Sequence, residues 1–212
     1  MITVLAANLM RDFAPLINSH LKYLPESDIQ KSRSFQRKRD ADSFMLGRIL
    51  IIKSLKEWKI QKTLGSIEYT EYKKPFFSGN FKFNISHSGK WVVCAATMDN
   101  EIGIDIEEIL EIDINDFERL FSGEEWGHIK NDPISLRKFY EFWTIKEAVS
   151  KADGRGFHMD FKKIKIHISS GTPLVEGWNV RELKIDENVF CHLALERMTD
   201  DVKFINVFPN DV

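Results

Sequence analysis

The sequence predicts an α+β fold made of two similar halves. Apolar residues from Asp40 to Trp58 recur at helical spacing, and from Ser66 onward apolar and polar residues alternate with the period of a strand. The same succession of helices and strands returns in the second half of the chain. No low-complexity linker lies between the halves, so we expect them to pack tightly.

Composition excludes several classes of protein. Of the 212 residues, 43% are hydrophobic and 29% are charged, which is typical of a globular chain. The net charge of −2 disfavours a protein that binds nucleic acid through overall positive charge. No apolar stretch approaches the ~18 residues of a membrane span. Cys94 and Cys191 each lie in an apolar run, which predicts small buried side chains. We therefore expect a cytoplasmic protein that binds neither membrane nor nucleic acid.

The first half begins with a strand predicted over Met1 to Leu9 and an amphipathic stretch over Leu16 to Leu24. Five lysines and arginines among residues 31 to 39 then lead into the helix that ends at Trp58. Because the apolar residues of this helix form one face, Arg48 and Lys56 are predicted to face solvent.

A β-hairpin is predicted next. Apolar residues alternate with polar ones from Phe81 to Ser86, and a turn at Ser88 to Lys90 leads into the apolar run from Trp91 to Thr97. A further strand is predicted over Ile102 to Glu107.

The second half shows helical spacing first and strand patterns afterwards. Helices are predicted over Phe117 to Ile129 and over Leu136 to Lys151, the second closed by Gly154. Strands are predicted over Lys163 to Ile168, Trp178 to Ile185, Val189 to Leu195 and Lys203 to Val207. The runs Val93 to Ala96 and Phe190 to Ala194 occupy similar places in the two halves, which an internal duplication or chance could explain.

Two acids lie on the strand from Ile102 to Glu107. Alternate side chains of a strand share a face, so three isoleucines enter the core while Asp105 and Glu107 emerge together, with Cα atoms ~6.6 Å apart. Oxygen donors with no nearby His or Cys suit Mg²⁺ or Mn²⁺. Gly103 would let another backbone or a phosphate approach closely. The alternative is a strand end with two solvated acids.

A second pattern lies on the later helix. Trp143, Glu147 and Lys151 are four residues apart and therefore form one stripe. The alternative is an ordinary surface pair of Glu and Lys beside a half-buried Trp.

Two further patterns could bind phosphate. Ser86 and His87 are adjacent in a strand and point to opposite faces, so they make a poor nucleophile and base pair, but beside Gly89 they could contact phosphate. The lysines before Pro75 could form a phosphate-binding rim with the basic residues of 31 to 39. An ordinary hairpin and a solvated basic face are the alternatives. The other histidines lack metal-ligand spacing and are interpreted as structural or solvated.

In this order, these segments resemble the Sfp-type 4′-phosphopantetheinyl transferases, which activate carrier proteins. The resemblance spans roughly residues 30 to 160, whereas the last 50 residues match only in length and strand character. The matching segments are Phe35 to Gly47 with Arg48, Lys74-Pro75, Asn84 to Gly89, Gly103 to Glu107 and Trp143 to Lys151.

The resemblance implies a monomer of two α/β subdomains, here residues 1–104 and 105–212, related by a pseudo-two-fold axis. Coenzyme A would lie in the cleft between them. The implied reaction transfers the 4′-phosphopantetheine group from coenzyme A to a serine of an apo acyl or peptidyl carrier protein. It depends on Mg²⁺, with Mn²⁺ possible, and releases adenosine 3′,5′-bisphosphate.

The resemblance also implies roles for residues. Asp105, Glu107 and Glu147 match the metal-binding acids, and Lys151 matches the active-site lysine, which also contacts the cofactor. Glu147 is the candidate base, directly or through a metal-bound water. The residues carried over as coenzyme A contacts are Lys31, Arg39, Lys73, Lys74, Asn84, Ser86 and His87. Carrier proteins are expected to dock near the helix predicted from Phe117.

Two other hypotheses stay open at this point. One is a coenzyme A or nucleotide-binding module that has lost turnover. The other is a nucleic-acid-binding domain that uses the basic segment 31–39, for which steep salt dependence of binding is expected.

Overall fold

The computed structural model describes residues 1–169, 172–197, 199 and 201–211. They form two compact units, each with helices packed on a β-sheet. The first unit contains Met1–Thr70, Pro75–Asp99 and Thr199–Val212, and the second contains Glu71–Lys74 and Asn100–Met198. The mixed α/β character and the two units confirm the predicted fold class.

Five α-helices and eleven strands occur in the described ranges. The helices are α1 (Ala14–His20), α2 (Glu26–Arg33), α3 (Lys38–Glu57), α4 (Gly123–Asn131) and α5 (Ser135–Asp153). The strands are β1 (Ile2–Asn8), β2 (Glu68–Tyr69), β3 (Pro75–Phe76), β4 (Phe81–Ser88), β5 (Trp91–Met98), β6 (Ile102–Glu108), β7 (Ile166–Ser169), β8 (Thr172–Val175), β9 (Asn179–Glu182), β10 (Val189–Leu195) and β11 (Val202–Val207). Among the described residues, no helix is long and apolar enough to cross a membrane.

In the first unit, α3 packs against a four-stranded sheet. The strand order is β11-β1-β5-β4, with β1 parallel to β11 and antiparallel to β5. The predicted hairpin is confirmed as β4 and β5. Helix α3 contacts β1, β4 and β5 and buries Leu46, Ile49 and Leu50 completely. The core of this unit therefore lies between one long helix and one face of the sheet.

The prediction that Arg48 faces solvent is wrong. Arg48 is only 9% exposed, and its Nε lies 3.2 Å from a carboxylate oxygen of Asp28 on α2. The guanidinium carbon also lies 5.0 Å from the centre of the Phe44 ring. A carboxylate partner and an aromatic face compensate for the loss of water. Phe44 lies one turn before Arg48 on α3, whereas Asp28 belongs to α2 and is not visible in the helical spacing. Lys56 is exposed, as predicted.

In the second unit, α5 packs against the sheet β6-β10-β9, and β7 pairs with β8. Gly103 of β6 lies against the helix backbone: a Cβ atom there would be 2.0 Å from the carbonyl oxygen of Ala148 and 2.4 Å from the amide nitrogen of Ala152. The expected close approach at this glycine is therefore that of another backbone.

The helix predicted over Phe117 to Ile129 is interrupted. A 3₁₀ helix spans Ile114–Leu120, and α4 begins only at Gly123. Ser122 and Glu125 form a reciprocal capping box that starts α4 anew, because each side chain satisfies a backbone N–H of the other residue.

The division into units differs from the expected boundary between residues 104 and 105. That boundary would cut β6, whose residues all pair with β10 in the second unit. The last strand returns to the first unit because β11 pairs with β1. Cys94 and Cys191 are buried, as predicted, and lie on β5 and β10, which are inner strands of their sheets.

Candidate active site

Helix α5 and strand β6 bring four of the predicted site residues together within the second unit. Gly103, Asp105 and Glu107 alternate along one face of β6, and the close contact at Gly103 shows that this face is turned toward α5. Lys151 of α5 donates to Asp105, with 2.5 Å between Nζ and Oδ1. Glu147 lies one helical turn before Lys151 on the same stripe.

The site acids are largely withdrawn from water. Asp105 is 2% exposed and Glu147 is 9% exposed, whereas Glu107 at the end of the strand is half-buried. The three isoleucines of β6 are completely buried, as predicted. Asp105 is therefore not a solvated acid at a strand end. Lys151 is also more than one half of a surface pair on α5, because its ammonium pairs with Asp105 on β6.

Burial and charge perturb the two groups on α5. Burial raises the pKa of the Glu147 carboxyl to about 7, and the negative charge of Asp105 adds to the effect, against the opposing ammonium of Lys151. For Lys151, burial lowers the pKa, but the carboxylates, Asp105 first, outweigh it and the pKa is raised overall. Near neutral pH, Glu147 can therefore exchange a proton while Lys151 stays charged.

The donor set suits a hard cation, although it is not arranged as a finished metal site. In the ranges that the structure describes, no group of three or more His, Cys, Asp or Glu is placed to hold a metal ion. Glu147 Oε1 is buried and has no hydrogen-bond partner among the described residues. An oxygen of this kind beside two further carboxylates fits a ligand set of oxygen atoms, which Mg²⁺ and Mn²⁺ prefer.

Trp143, the third member of the predicted stripe, packs in an aromatic cluster. Its ring centre lies 5.8 Å from that of Phe117 and 5.8 Å from that of Phe161, and it stacks on Phe139 at 6.2 Å. The structure therefore gives Trp143 a packing role that anchors α5.

Lys146 forms a buried ion pair that the sequence analysis missed. It is 0% exposed, and its Nζ lies 3.0 Å from Glu125 Oε1. It also donates to the carbonyl oxygens of Phe161 and Ile164 at 2.8 and 2.6 Å. The spacing of Ser122 and Glu125, which is that of a capping box, was the available signal for one partner.

His192 is buried beside the site on β10, opposite Asp105 in register. Its Nδ1 lies 2.7 Å from Thr144 Oγ1 on α5. Burial lowers the pKa of this imidazole to about 3, so it is neutral at physiological pH. This agrees with its interpretation as a structural histidine.

Five of the predicted coenzyme A contacts belong to the first unit. Lys31 of α2 and Arg39 of α3 are exposed. On β4, Asn84 and Ser86 are buried, whereas His87 is exposed and so points to the other face, as predicted. The carboxylates and Lys151 belong to the second unit.

The other two predicted contacts, Lys73 and Lys74, belong to the second unit. Lys73 is exposed and has a φ of 65°, the left-handed region. The side chain of Lys74 is only 14% exposed, and its Nζ lies 3.0 Å from Glu101 Oε2. It also donates to the carbonyl oxygen of Ala152 at 2.6 Å. Lys74 is thus held by protein groups and does not lie on a solvated rim.

Comparison with known proteins identifies the family. Sequence models match for the 4′-phosphopantetheinyl transferase superfamily over residues 101–200 and for the N-terminal part of 4′-phosphopantetheinyl transferases over residues 14–99. The 4′-phosphopantetheinyl transferase gsp of Aneurinibacillus migulanus is 33% identical over 174 residues, which cover 78% of this chain and 73% of that protein. The chain belongs to the 4′-phosphopantetheinyl transferase superfamily.

A second relative agrees with this assignment. The 4′-phosphopantetheinyl transferase Sfp of Bacillus subtilis strain 168 is 30% identical over 154 residues, covering 70% of this chain and 68% of the relative. The crystal structure of Thermotoga maritima holo-[acyl-carrier-protein] synthase is similar with 19% identity and a TM-score of 0.40, over 45% of this chain and 61% of that one. Membership in the superfamily confirms the predicted family and the prediction that the chain is an enzyme of this class.

Proposed function

We propose that this phosphopantetheinyl transferase moves the 4′-phosphopantetheine group from coenzyme A to a serine of an apo acyl or peptidyl carrier protein. Adenosine 3′,5′-bisphosphate is the second product, and the enzyme acts as a cytoplasmic monomer. Family membership supports the reaction class. The observation that carries the assignment of the site is the buried contact of Lys151 with Asp105 beside Glu147.

The reaction needs a proton acceptor and a cation. The serine oxygen attacks the phosphorus that bears the pantetheine arm, and the bond from that phosphorus to the oxygen of the leaving bisphosphate breaks. We assign Glu147 as the base for the serine proton, because its buried Oε1 has no hydrogen-bond partner among the described residues and can accept a proton. Lys151 is assigned to the leaving phosphate, where its ammonium stabilises the negative charge that develops.

Asp105, Glu107 and Glu147 are the residues that would hold Mg²⁺ or Mn²⁺. When bound, such an ion supplies positive charge that stabilises phosphate oxygens and orients them. One carboxylate cannot act fully as metal ligand and as base at the same time. Because Oε1 of Glu147 has no hydrogen-bond partner among the described residues, one oxygen of this carboxylate could serve the cation and the other the proton. The raised pKa of Glu147 supports the need for a partner cation, since burial near two other carboxylates disfavours its charged form.

We propose that the phosphates of coenzyme A are contacted by six residues: Lys31, Arg39, Lys73, Asn84, Ser86 and His87. The support is chemical: the exposed lysines, Arg39 and His87 can donate to phosphate oxygens, and arginine does so in a bidentate manner. Lys74 is left out of this set because protein groups hold its ammonium.

Intact-mass measurement tests the proposal. The protein is incubated with coenzyme A, MgCl₂ and a panel of apo acyl and peptidyl carrier proteins, and the carrier mass is followed. We expect a gain of one phosphopantetheine on the serine, loss of the gain with EDTA, and its recovery with excess Mg²⁺.

Asp105→Ala provides the site-directed arm of the same assay. We expect this variant to keep its circular dichroism spectrum and to lose the mass gain, whereas Lys165→Met, at an exposed position of the same unit, keeps full transfer. Absence of any gain with every carrier would contradict the proposal. Calorimetric binding of coenzyme A without transfer would instead indicate a binding module that has lost turnover.

A further inference from the structure

Lys74 connects the two elements that carry the site. Its ammonium pairs with Glu101, which directly precedes β6, and donates to the carbonyl of Ala152 in the last turn of α5. Both partners belong to the same unit as Lys74, although the lysine lies 27 and 78 residues away from them in sequence. One side chain thus contacts the start of the strand and the end of the helix.

The surroundings of Lys74 favour a fixed position. The carbonyl groups of a last helical turn lack helical partners, and a cation there interacts favourably with the helix dipole. The aliphatic part of Lys74 packs on Gly154, where a Cβ atom would lie 3.0 Å from its Cδ, and Gly154 ends α5 with a φ of 92°. The left-handed backbone at Lys73 sets the direction from which Lys74 enters.

The next contacts along the same helix and strand are those of the site. Gly103 packs on Ala148 and Ala152, and Asp105 then receives the ammonium of Lys151, the residue before Ala152. A displacement of the last turn of α5 from the start of β6 would therefore change the spacing between Lys151 and Asp105.

We propose that Lys74 is a positioning residue for the transfer reaction: it holds the last turn of α5 against the start of β6 and so places Lys151 at Asp105. This inference deepens the proposed function and depends on it for its catalytic consequence. It differs from a phosphate contact in one respect that can be measured. Glu101 carries a negative charge and cannot bind a phosphate, yet its removal breaks the same connection.

Steady-state kinetics separates the two roles of Lys74. The variants are Lys74→Met, Glu101→Gln, the double variant and the control Lys165→Met. For positioning we expect kcat to fall between about tenfold and about a hundredfold in Lys74→Met, because small misplacements of reacting groups are costly. Glu101→Gln should lower kcat by a smaller factor, because it removes the charge of the pair but leaves the contact of Lys74 with the Ala152 carbonyl. We expect the KM for coenzyme A to change by less than about twofold. The kcat of the double variant should equal that of Lys74→Met, since the pair with Glu101 is already lost when Lys74 is replaced.

The conservative variant Lys74→Arg keeps the positive charge and should recover part of kcat. An increased KM for coenzyme A with unchanged kcat in Lys74→Met, together with no effect of Glu101→Gln, would overturn the proposal in favour of a phosphate contact. Glu101 is 38% exposed in its side chain, so water can solvate it after removal of Lys74 and the variant should fold.

Hydrogen exchange gives a readout that needs no activity. In Lys74→Met and in Glu101→Gln we expect faster exchange at the amides of β6 and of the last two turns of α5. In Lys165→Met the exchange rates of these amides should not change. Unchanged exchange in both would overturn the proposed connection even if kcat falls. If the wild-type protein transfers nothing to any carrier, the proposed function fails, while exchange still decides whether Lys74 holds the helix to the strand.

Discussion

The buried ion pair of Lys146 and Glu125 provides the sharpest test of how the second unit is held together. The two side chains are 0% and 1% exposed, so neither charge can be solvated when the other is removed. Lys146→Met keeps the length of the side chain but leaves the Glu125 carboxylate buried without its cation. It also removes two hydrogen bonds, to the carbonyls of Phe161 and Ile164.

The expected loss in the free energy of unfolding is about 3–5 kcal/mol, the range found when one partner of a buried pair is deleted. Glu125 still accepts from the backbone N–H groups of Ser122 and Ile166, which argues for the lower part of that range. Urea denaturation followed by tryptophan fluorescence measures the loss, because Trp126 and Trp143 are partly buried and pack against the core of this unit.

A double variant checks the reasoning. Adding Glu125→Gln to Lys146→Met removes the orphaned charge, so the double variant should be less destabilised than the sum of the two single variants, by about 1–3 kcal/mol. A loss below about 1 kcal/mol for Lys146→Met alone would refute the argument that the pair is desolvated.

Two further predictions concern packing and pH. Gly103→Ala should destabilise the second unit by about 3 kcal/mol or more in the same denaturation assay, because its Cβ would overlap the α5 backbone. Gly127→Ala, which meets no atom within 4 Å on α4, should be neutral or stabilising by up to about 1 kcal/mol. The pKa of His192 is about 3 in the folded protein and 6.5 in the unfolded chain, so the unfolded state binds the proton first as the pH falls. Below pH 6.5 acid therefore lowers the free energy of unfolding by up to about 1.4 kcal/mol per pH unit. His192→Gln should remove this slope. The pKa of Glu147, raised to about 7, acts in the opposite direction between pH 7 and 4.5, so the slope is best obtained as the difference from wild type.

Each of these predictions has a clear failing result. Equal losses for Gly103→Ala and Gly127→Ala would mean that the helix does not approach the strand as closely as described. An identical pH dependence of unfolding in wild type and His192→Gln would mean that the imidazole is not held neutral by burial.

Local periodicity was enough to predict the elements that carry the site. The alternation from Ile102 to Glu107 and the stripe of Glu147 and Lys151 depend only on positions within one strand and one helix, and both elements are confirmed at nearly the predicted bounds. The family resemblance then indicated which acids and lysine belong together.

The predictions that failed concern side chains whose partners lie far away in the sequence. Arg48 is on the polar side of its own helix, but Asp28 of α2 offers it a buried ion pair that the helical spacing of α3 does not show. Lys146 is buried for the same kind of reason, since Glu125 and the backbone carbonyls of Phe161 and Ile164 surround its ammonium. The interruption before α4 could have been found locally, from the capping pattern at Ser122.

The pairing of β1 with β11 places residues from widely separated parts of the sequence side by side in one sheet. On the ribosome, β1 is made early, and its parallel neighbour emerges only after every residue of the second unit has been synthesised. Until then the main-chain N–H and C=O groups on that side of β1 are without their strand partner and can attract other chains. Truncated forms that stop before Val202 would keep this unpaired edge permanently. Production of the first unit by itself therefore calls for β11 to be supplied, for example by joining it ahead of β1 through a flexible linker of about a dozen or more residues, because the linker must return along the length of two parallel strands.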